Sequence, residues 1–210
     1  MEVTRIKNSL FSSNTYILSI SDSQEVWLVD CGDVKPIFDW MEKNRKINVI
    51  GVLLTHSHFD HIYGLNNLLS KFPQTYVYIA NQTGMNALYD IKQNGSKYAE
   101  NPFVLASNVK ICLLQNVEKN IVLWRGVRGN HYPAKGHSQD SVYFEFDNYL
   151  FTGDSFIPNI RTVSKLKGGN RDEAKQTVLD IKETFSGDTV ICPGHEDMCY
   201  LKEVEIEKMY

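Results

Sequence analysis

The sequence predicts a mixed α/β fold with helices packed outside one or two sheets. Three observations predict it. Apolar runs of strand length alternate with helix-period segments in the first half. A tight antiparallel hairpin reads at 142–152. A helix followed by a short apolar strand returns near 170–192. With 210 residues, 42% of them hydrophobic and 22% charged, the chain is expected to bury one large core as a single domain, 1–210.

Taken in order, residues 14–18 and 26–30 read as strands, the second stopped by Gly32. Pro36 suits a helix start, and Ile37, Trp40 and Met41 give that helix one apolar face. Residues 47–54 form a nearly continuous apolar run, as in a strand covered on both faces. The resulting strand–helix–strand unit is expected to be parallel, so Asp30 and His56 leave the same sheet edge. Ile62, Leu65, Leu68, Leu69 and Phe72 then recur at helical spacing until Pro73, and 76–80 reads as a strand. A helix is expected over 82–92, a loop over 95–102, and strands over 109–114 and 121–124. In the hairpin, residues 142–146 alternate, Asp147-Asn148 turns, and 149–152 returns. That turn brings His137 and Asp154 to one open end. Asn170 with Glu173 makes a capping box for a helix with Ala174, Val178, Ile181 and Phe185 on one face, ended by Gly187. A strand at 189–192 delivers Pro193-Gly194-His195.

The net charge of −3 and pI near 6.1 argue against a general nucleic-acid binder. The first twenty residues hold no apolar run fit for a signal peptide, and no stretch approaches the ~20 apolar residues of a membrane span. The expectation is a cytoplasmic protein with a small-molecule substrate and neither nucleic acid nor membrane as partner; the oligomeric state is left open. Cys31, Cys112, Cys192 and Cys199 lack paired spacing and read as reduced thiols.

The chemistry concentrates in "LLTHSHFDHIYG", residues 53–64. On extended chain, residues i and i+2 point the same way, so His56 and His58 can grip one ion together. Asp60 and His61 follow where the chain turns into a helix, and can hold a second ion nearby. Imidazole and carboxylate suit Zn, Mn and Fe, and an ion needs more donors than two histidines. His137, Asp154 and His195, each at an element end, are the candidates. Of six histidines, only His131 falls outside this set, and it reads as an ordinary surface or core residue.

THSHFDH, the GHS at 136–138, the TGD at 152–154 and the PGH at 193–195, with NTYIL and VDCG before them, resemble the metallo-β-lactamase superfamily in order and spacing. The resemblance implies a four-layer αββα sandwich of two mixed sheets with helices outside. It also implies that His56, His58 and His137 bind a first metal, that Asp60, His61 and His195 bind a second, and that Asp154 bridges them. Asp30 resembles the family's aspartate that orients a ligand histidine; a polar residue ending a strand is its other reading. The implied cofactor is two divalent ions, zinc first, with iron or manganese as alternatives. Such ions lower the pKa of bound water from 15.7 toward ~7, giving hydroxide at neutral pH. Asp60 could orient that hydroxide and carry a proton to the leaving group.

Asp154 and His61 distinguish the chain from the best-known antibiotic-hydrolysing class, which has a cysteine near the position of Asp154 and no ligand histidine at that of His61. The match is nearest to glyoxalase II-like proteins, whose helical extension after the last histidine helps bind glutathione; here fifteen residues follow His195. The expected activity is hydrolysis of a small thioester, lactone or other ester. The alternatives are a mononuclear iron, persulfide dioxygenase-like oxidoreductase and a phosphodiesterase of the same superfamily. Arg161 and Lys165, with Lys167, could present a cation to an anionic substrate or form a solvated basic loop. Tyr98 and Phe103 could supply apolar contacts to a pocket wall.

Overall fold

The structure, a computed structural model, describes residues 1–209. The chain divides into two compact units, 1–114 and 115–210.

The first unit is a six-stranded sheet in sequential order: β1 (Glu2–Lys7), β2 (Asn14–Ser19), β3 (Glu25–Val29), β4 (Asn48–Leu53), β5 (Tyr76–Ile79) and β6 (Lys110–Leu113). The first three strands are antiparallel and β3 to β6 run parallel. Each parallel step is bridged by helix: α1 (Val34–Lys43), then α2 (Phe59–Ile62) with α3 (Leu65–Lys71), then α4 (Gln82–Ala87). Ile37 and Met41 of α1 and Leu65, Leu68 and Leu69 of α3 bury against Leu28, Val49, Val52 and Val77 of the sheet. In mid-strand, a Cβ on Gly51 would lie 2.3 Å from the Trp27 ring, so only glycine leaves room for that indole on the paired strand.

The second unit is also a mixed sheet. Its strands are β7 (Asn120–Trp124), β8 (Val127–Pro133), β9 (Val142–Phe146), β10 (Tyr149–Gly153), β11 (Val190–Pro193) and β12 (Cys199–Tyr200). All neighbours are antiparallel except β10 and β11, which α5 (Arg171–Thr184) connects. The Asn170 side chain accepts from the backbone N–H of Asp172 and Glu173, which caps α5. Val178 and Ile181 pack with Leu150, Phe156 and Ile191.

Several expectations need correction. Strands β1, β8 and β12 were not anticipated. Ile47 is exposed, and β4 starts after it. The helix expected over 82–92 stops at Ala87, because the Asp90 carboxylate accepts from the N–H of Lys92 (2.8 Å) and Gln93 (3.3 Å) and turns the chain. The helical period through 62–72 is two helices, broken at Gly64. Among the described residues, no helix is long and apolar enough to cross a membrane.

Candidate metal centre

In the first unit, the parallel pairing of β3 and β4 sets Val29 opposite Leu53, so both strands end on one edge. Asp30 leaves β3 with φ 58°, a left-handed backbone that an aspartate tolerates better than most side chains. That conformation turns its buried carboxylate toward the next strand. It accepts from Thr55 N–H and Thr55 Oγ (2.8 Å each) and meets His61 Nδ1 at 2.9 Å. Burial pushes the Asp30 carboxyl up; the His61 imidazole and the Thr55 hydrogen bonds oppose that rise. His58 is the N-cap residue of α2, which places Asp60 and His61 on its first turn. The rings of His58 and His61 have centroids 4.6 and 4.3 Å from that of His56. His61 Nε2 stands 3.5 Å from Asp60 Oδ2. Thr55 Oγ1 lies 3.1 Å from His56 Nδ1.

Gly64 makes this corner possible. Its N–H bonds to the Cys31 carbonyl, and a Cβ there would sit 1.8 Å from the Gly32 carbonyl oxygen. The Cys31 N–H in turn bonds to the His61 carbonyl at 2.8 Å, so the loop after β3 clasps α2.

In the second unit, the hairpin of β9 and β10 and the parallel pairing of β10 with β11 bring three donors together. Gly153 pairs with Pro193, and the Gly194 N–H bonds to the Gly153 carbonyl at 2.8 Å. Asp154 and His195 follow directly. Asp154 Oδ2 lies 3.7 Å from His137 Nε2 and 3.5 Å from His195 Nε2. The expected approach of His137 to Asp154 is thus present. His137 Nδ1 is 2.8 Å from the Val163 carbonyl.

In both His137 and His61 the outer partner engages Nδ1, and Nε2 is the ring nitrogen that faces a carboxylate, Asp154 at 3.7 Å and Asp60 at 3.5 Å. An outer acceptor holding one ring nitrogen is the arrangement seen around metal-ligating histidines. Imidazole and carboxylate donors fit a divalent transition ion. The first unit supplies His56, His58, Asp60 and His61, and the second supplies His137, Asp154 and His195; all are residue types able to ligate such an ion.

A family model described as the metallo-beta-lactamase superfamily matches residues 9–195. The chain belongs to the metallo-beta-lactamase superfamily. A hydroxyacylglutathione hydrolase of Haemophilus ducreyi is 24% identical over 87% of this chain and 66% of its own length. The chain spans about two thirds or less of the curated hydroxyacylglutathione hydrolases it matches. The crystal structure of the B3 metallo-beta-lactamase BLEG-1 superposes with TM-score 0.86 at 24% identity, covering 96% of this chain and 95% of that one. A protein solved in a di-iron-bound form superposes at 0.78, with 18% identity, covering 95% and 96%. The two mixed sheets with their helices are therefore the superfamily's α/β sandwich fold.

Within the superfamily frame, the remaining candidates take these places. Arg161 donates from Nε to the Met209 carbonyl at 2.7 Å, and Lys165 is exposed on the same loop. His131 sits on β8 with Nε2 at 3.2 Å from the Glu118 carbonyl, and burial pushes its pKa down. Cys192 is buried, which pushes its thiol pKa up and away from reactivity. Sequence reasoning missed Thr55, the Val163 carbonyl and Ser13, whose Oγ donates to the Asp60 carbonyl at 2.7 Å. Two hydroxyls and a carbonyl carry no motif signal.

Proposed function

We propose that the two units act as one metal-dependent hydrolase domain for a small thioester, lactone or other ester. In this reading His56, His58 and His137 hold one divalent ion, Asp60, His61 and His195 hold a second, and Asp154 serves both. Zinc is the first choice, with iron or manganese suited to the same donors. The observation that carries the reading is the pair of engaged Nδ1 atoms: Asp30 on His61 and the Val163 carbonyl on His137 each orient Nε2 for ligation. The relatives named hydroxyacylglutathione hydrolase favour hydrolysis as the reaction class.

Bound divalent ions supply a water that ionises near neutral pH and a Lewis acid for the substrate carbonyl. The chain's own part is positioning and proton handling. The Asp60 carboxylate, 15% exposed, can take a proton from water and pass it to the leaving group. Ser13 holds the backbone of Asp60 in place.

Elemental analysis after reconstitution, followed by turnover of a thioester, lactone and phosphodiester panel on that form, tests the reading. More than one equivalent of metal with ester or thioester turnover is expected. Trace metal throughout overturns it. One iron per chain with oxygen consumption on a persulfide substrate replaces it with the oxidoreductase.

A further inference from the structure

We propose that the first unit carries a subsite for an uncharged aromatic or bulky apolar group of the substrate, walled by Phe11 and Tyr98. The word substrate rests on the hydrolase reading; the subsite itself rests on the cleft. That cleft has a volume of about 770 Å³, within the ~300–1,000 Å³ of small-molecule sites. Phe11, Phe59, Tyr63, Tyr98 and Phe103 supply aromatic surface to it. Phe11 is 74% exposed and Tyr98 89% exposed. Two large, mostly exposed rings on the two loops that line the cleft offer a surface that a ligand can cover.

The cleft is built onto the metal-binding motif. Its floor includes Phe59, which stands between His58 and Asp60 in the chain, and Tyr63, two residues after His61. One wall is the turn from β1 to β2, tied to the motif by the Ser13 hydroxyl on the Asp60 carbonyl. The other wall is the 95–104 loop, tied by the Phe59 N–H on the Asn94 carbonyl at 2.8 Å. That second wall is pre-formed. Buried Asn94 donates to the carbonyls of Ala87 and Phe103, and Asn66 holds Val104 and Ala106. A group bound between these loops lies against the same short helix that carries Asp60 and His61.

Charge narrows the occupant. Among the described residues lining the cleft, Glu100 has the one charged side chain, and it is acidic. Behind the floor, the Asp33 carboxylate accepts from Tyr63 Oη (2.7 Å) and from the Ser9 N–H (2.7 Å), adding negative potential. Lys97 lies outside the lining, with Nζ 4.9 Å from the Tyr98 ring centroid. An anionic group therefore meets repulsion and finds no lining cation, whereas an uncharged aromatic or branched aliphatic group gains aromatic contact at no charge penalty. This favours apolar acyl or alcohol groups over glutathione-like or phosphorylated ones.

The test is fluorescence titration of the full-length protein with neutral N-phenyl-1-naphthylamine and with its sulfonated analogue 8-anilino-1-naphthalenesulfonate. The neutral probe is expected to bind one per chain, at least about tenfold tighter than the sulfonate, and to lose about tenfold in Phe11→Ala and in Tyr98→Ala. Val104→Lys, at a half-exposed lining position, is expected to shift preference toward the sulfonate. Circular dichroism melts establish that each variant folds. Equal affinity for both probes, or binding unmoved in all three variants, overturns the subsite. A second arm measures kcat/KM for acetyl against phenylacetyl esters, with the larger acyl group preferred by at least about tenfold in the parent and the preference reduced in Tyr98→Ala. Absence of all ester turnover with the probe results intact removes the hydrolase reading and supports the subsite. Turnover without neutral-probe preference removes the subsite alone.

Discussion

Asp60 and Asp30 are two carboxylates near one histidine, and environment separates them. Asp60 is part-exposed and meets His61 at Nε2; Asp30 is buried and meets it at Nδ1. Asp60→Asn keeps shape but removes the group proposed to handle the proton. Turnover is expected to fall by at least ~100-fold, while the melting temperature moves far less; unchanged turnover on an established substrate removes Asp60 from the mechanism. Asp30→Asn is the sharper probe of the Asp30–His61 contact, because asparagine also tolerates the left-handed backbone at φ 58°. Metal affinity by competition with a chelator is expected to drop ~10–100-fold, and affinity equal to the parent would show that Nδ1 needs no carboxylate. At this scale the candidate donors were legible, because few residue types can ligate a metal ion. Ser13 and the Val163 carbonyl were not, since each acts through an ordinary hydrogen bond to a residue far along the chain.

The apolar period from Ile62 to Phe72 was legible as helix, yet the break inside it was not. Gly64 ends α2 because the chain must pass the Gly32 carbonyl, a contact set by the loop after β3 rather than by local propensity. Gly64→Ala is therefore expected to cost about 1–3 kcal/mol as overpacking against backbone. The melting temperature should fall by about 3–10 °C, with metal affinity falling too because Cys31 and His61 share that clasp. A thermal melt with metal titration checks this, and an unshifted melt would mean that the loop yields freely. Strands β1 and β12 escaped the sequence for a different reason. Both are edge strands, and β1 carries Glu2, Thr4, Arg5 and Lys7 in half-buried or exposed positions, so neither shows the apolar signature of a buried strand. The expected helix over 82–92 failed at a side-chain turn, where Asp90 outcompetes helical bonding.

For the whole molecule, the proposal draws donors from both units, which makes metal a term in stability. Saturating metal at about a hundredfold above its Kd is worth ~2.7 kcal/mol, or roughly 5–10 °C for a chain of this size. Chelation is expected to lower the melting temperature by that amount. The donors are not equivalent. Asp154 Oδ2 faces both His137 and His195, whereas His195 serves one proposed ion. His195→Ala is expected to weaken the second ion and spare the first; Asp154→Ala is expected to weaken both and lower stability further. Metal stoichiometry against free-metal concentration distinguishes them. Two ions held at parental affinity in Asp154→Ala would refute the bridge, and equal emptying of both sites in His195→Ala would refute separate ligand sets.

By itself the sequence determined the superfamily and the mixed α/β class, and it singled out seven candidate donors. Strand and helix periods are local, and a transition-metal site admits few side chains, so both leave a mark on consecutive residues. Only the tertiary structure decided which nitrogen of His61 and His137 is held by an outer partner. It also decided where two loops stand apart around Phe59. Those outcomes depend on hydrogen bonds between residues 26 to 47 positions apart, such as His137 with Val163, His61 with Asp30 and Ser13 with Asp60. No periodicity or spacing in the chain records contacts at that range, because folding alone brings the partners together.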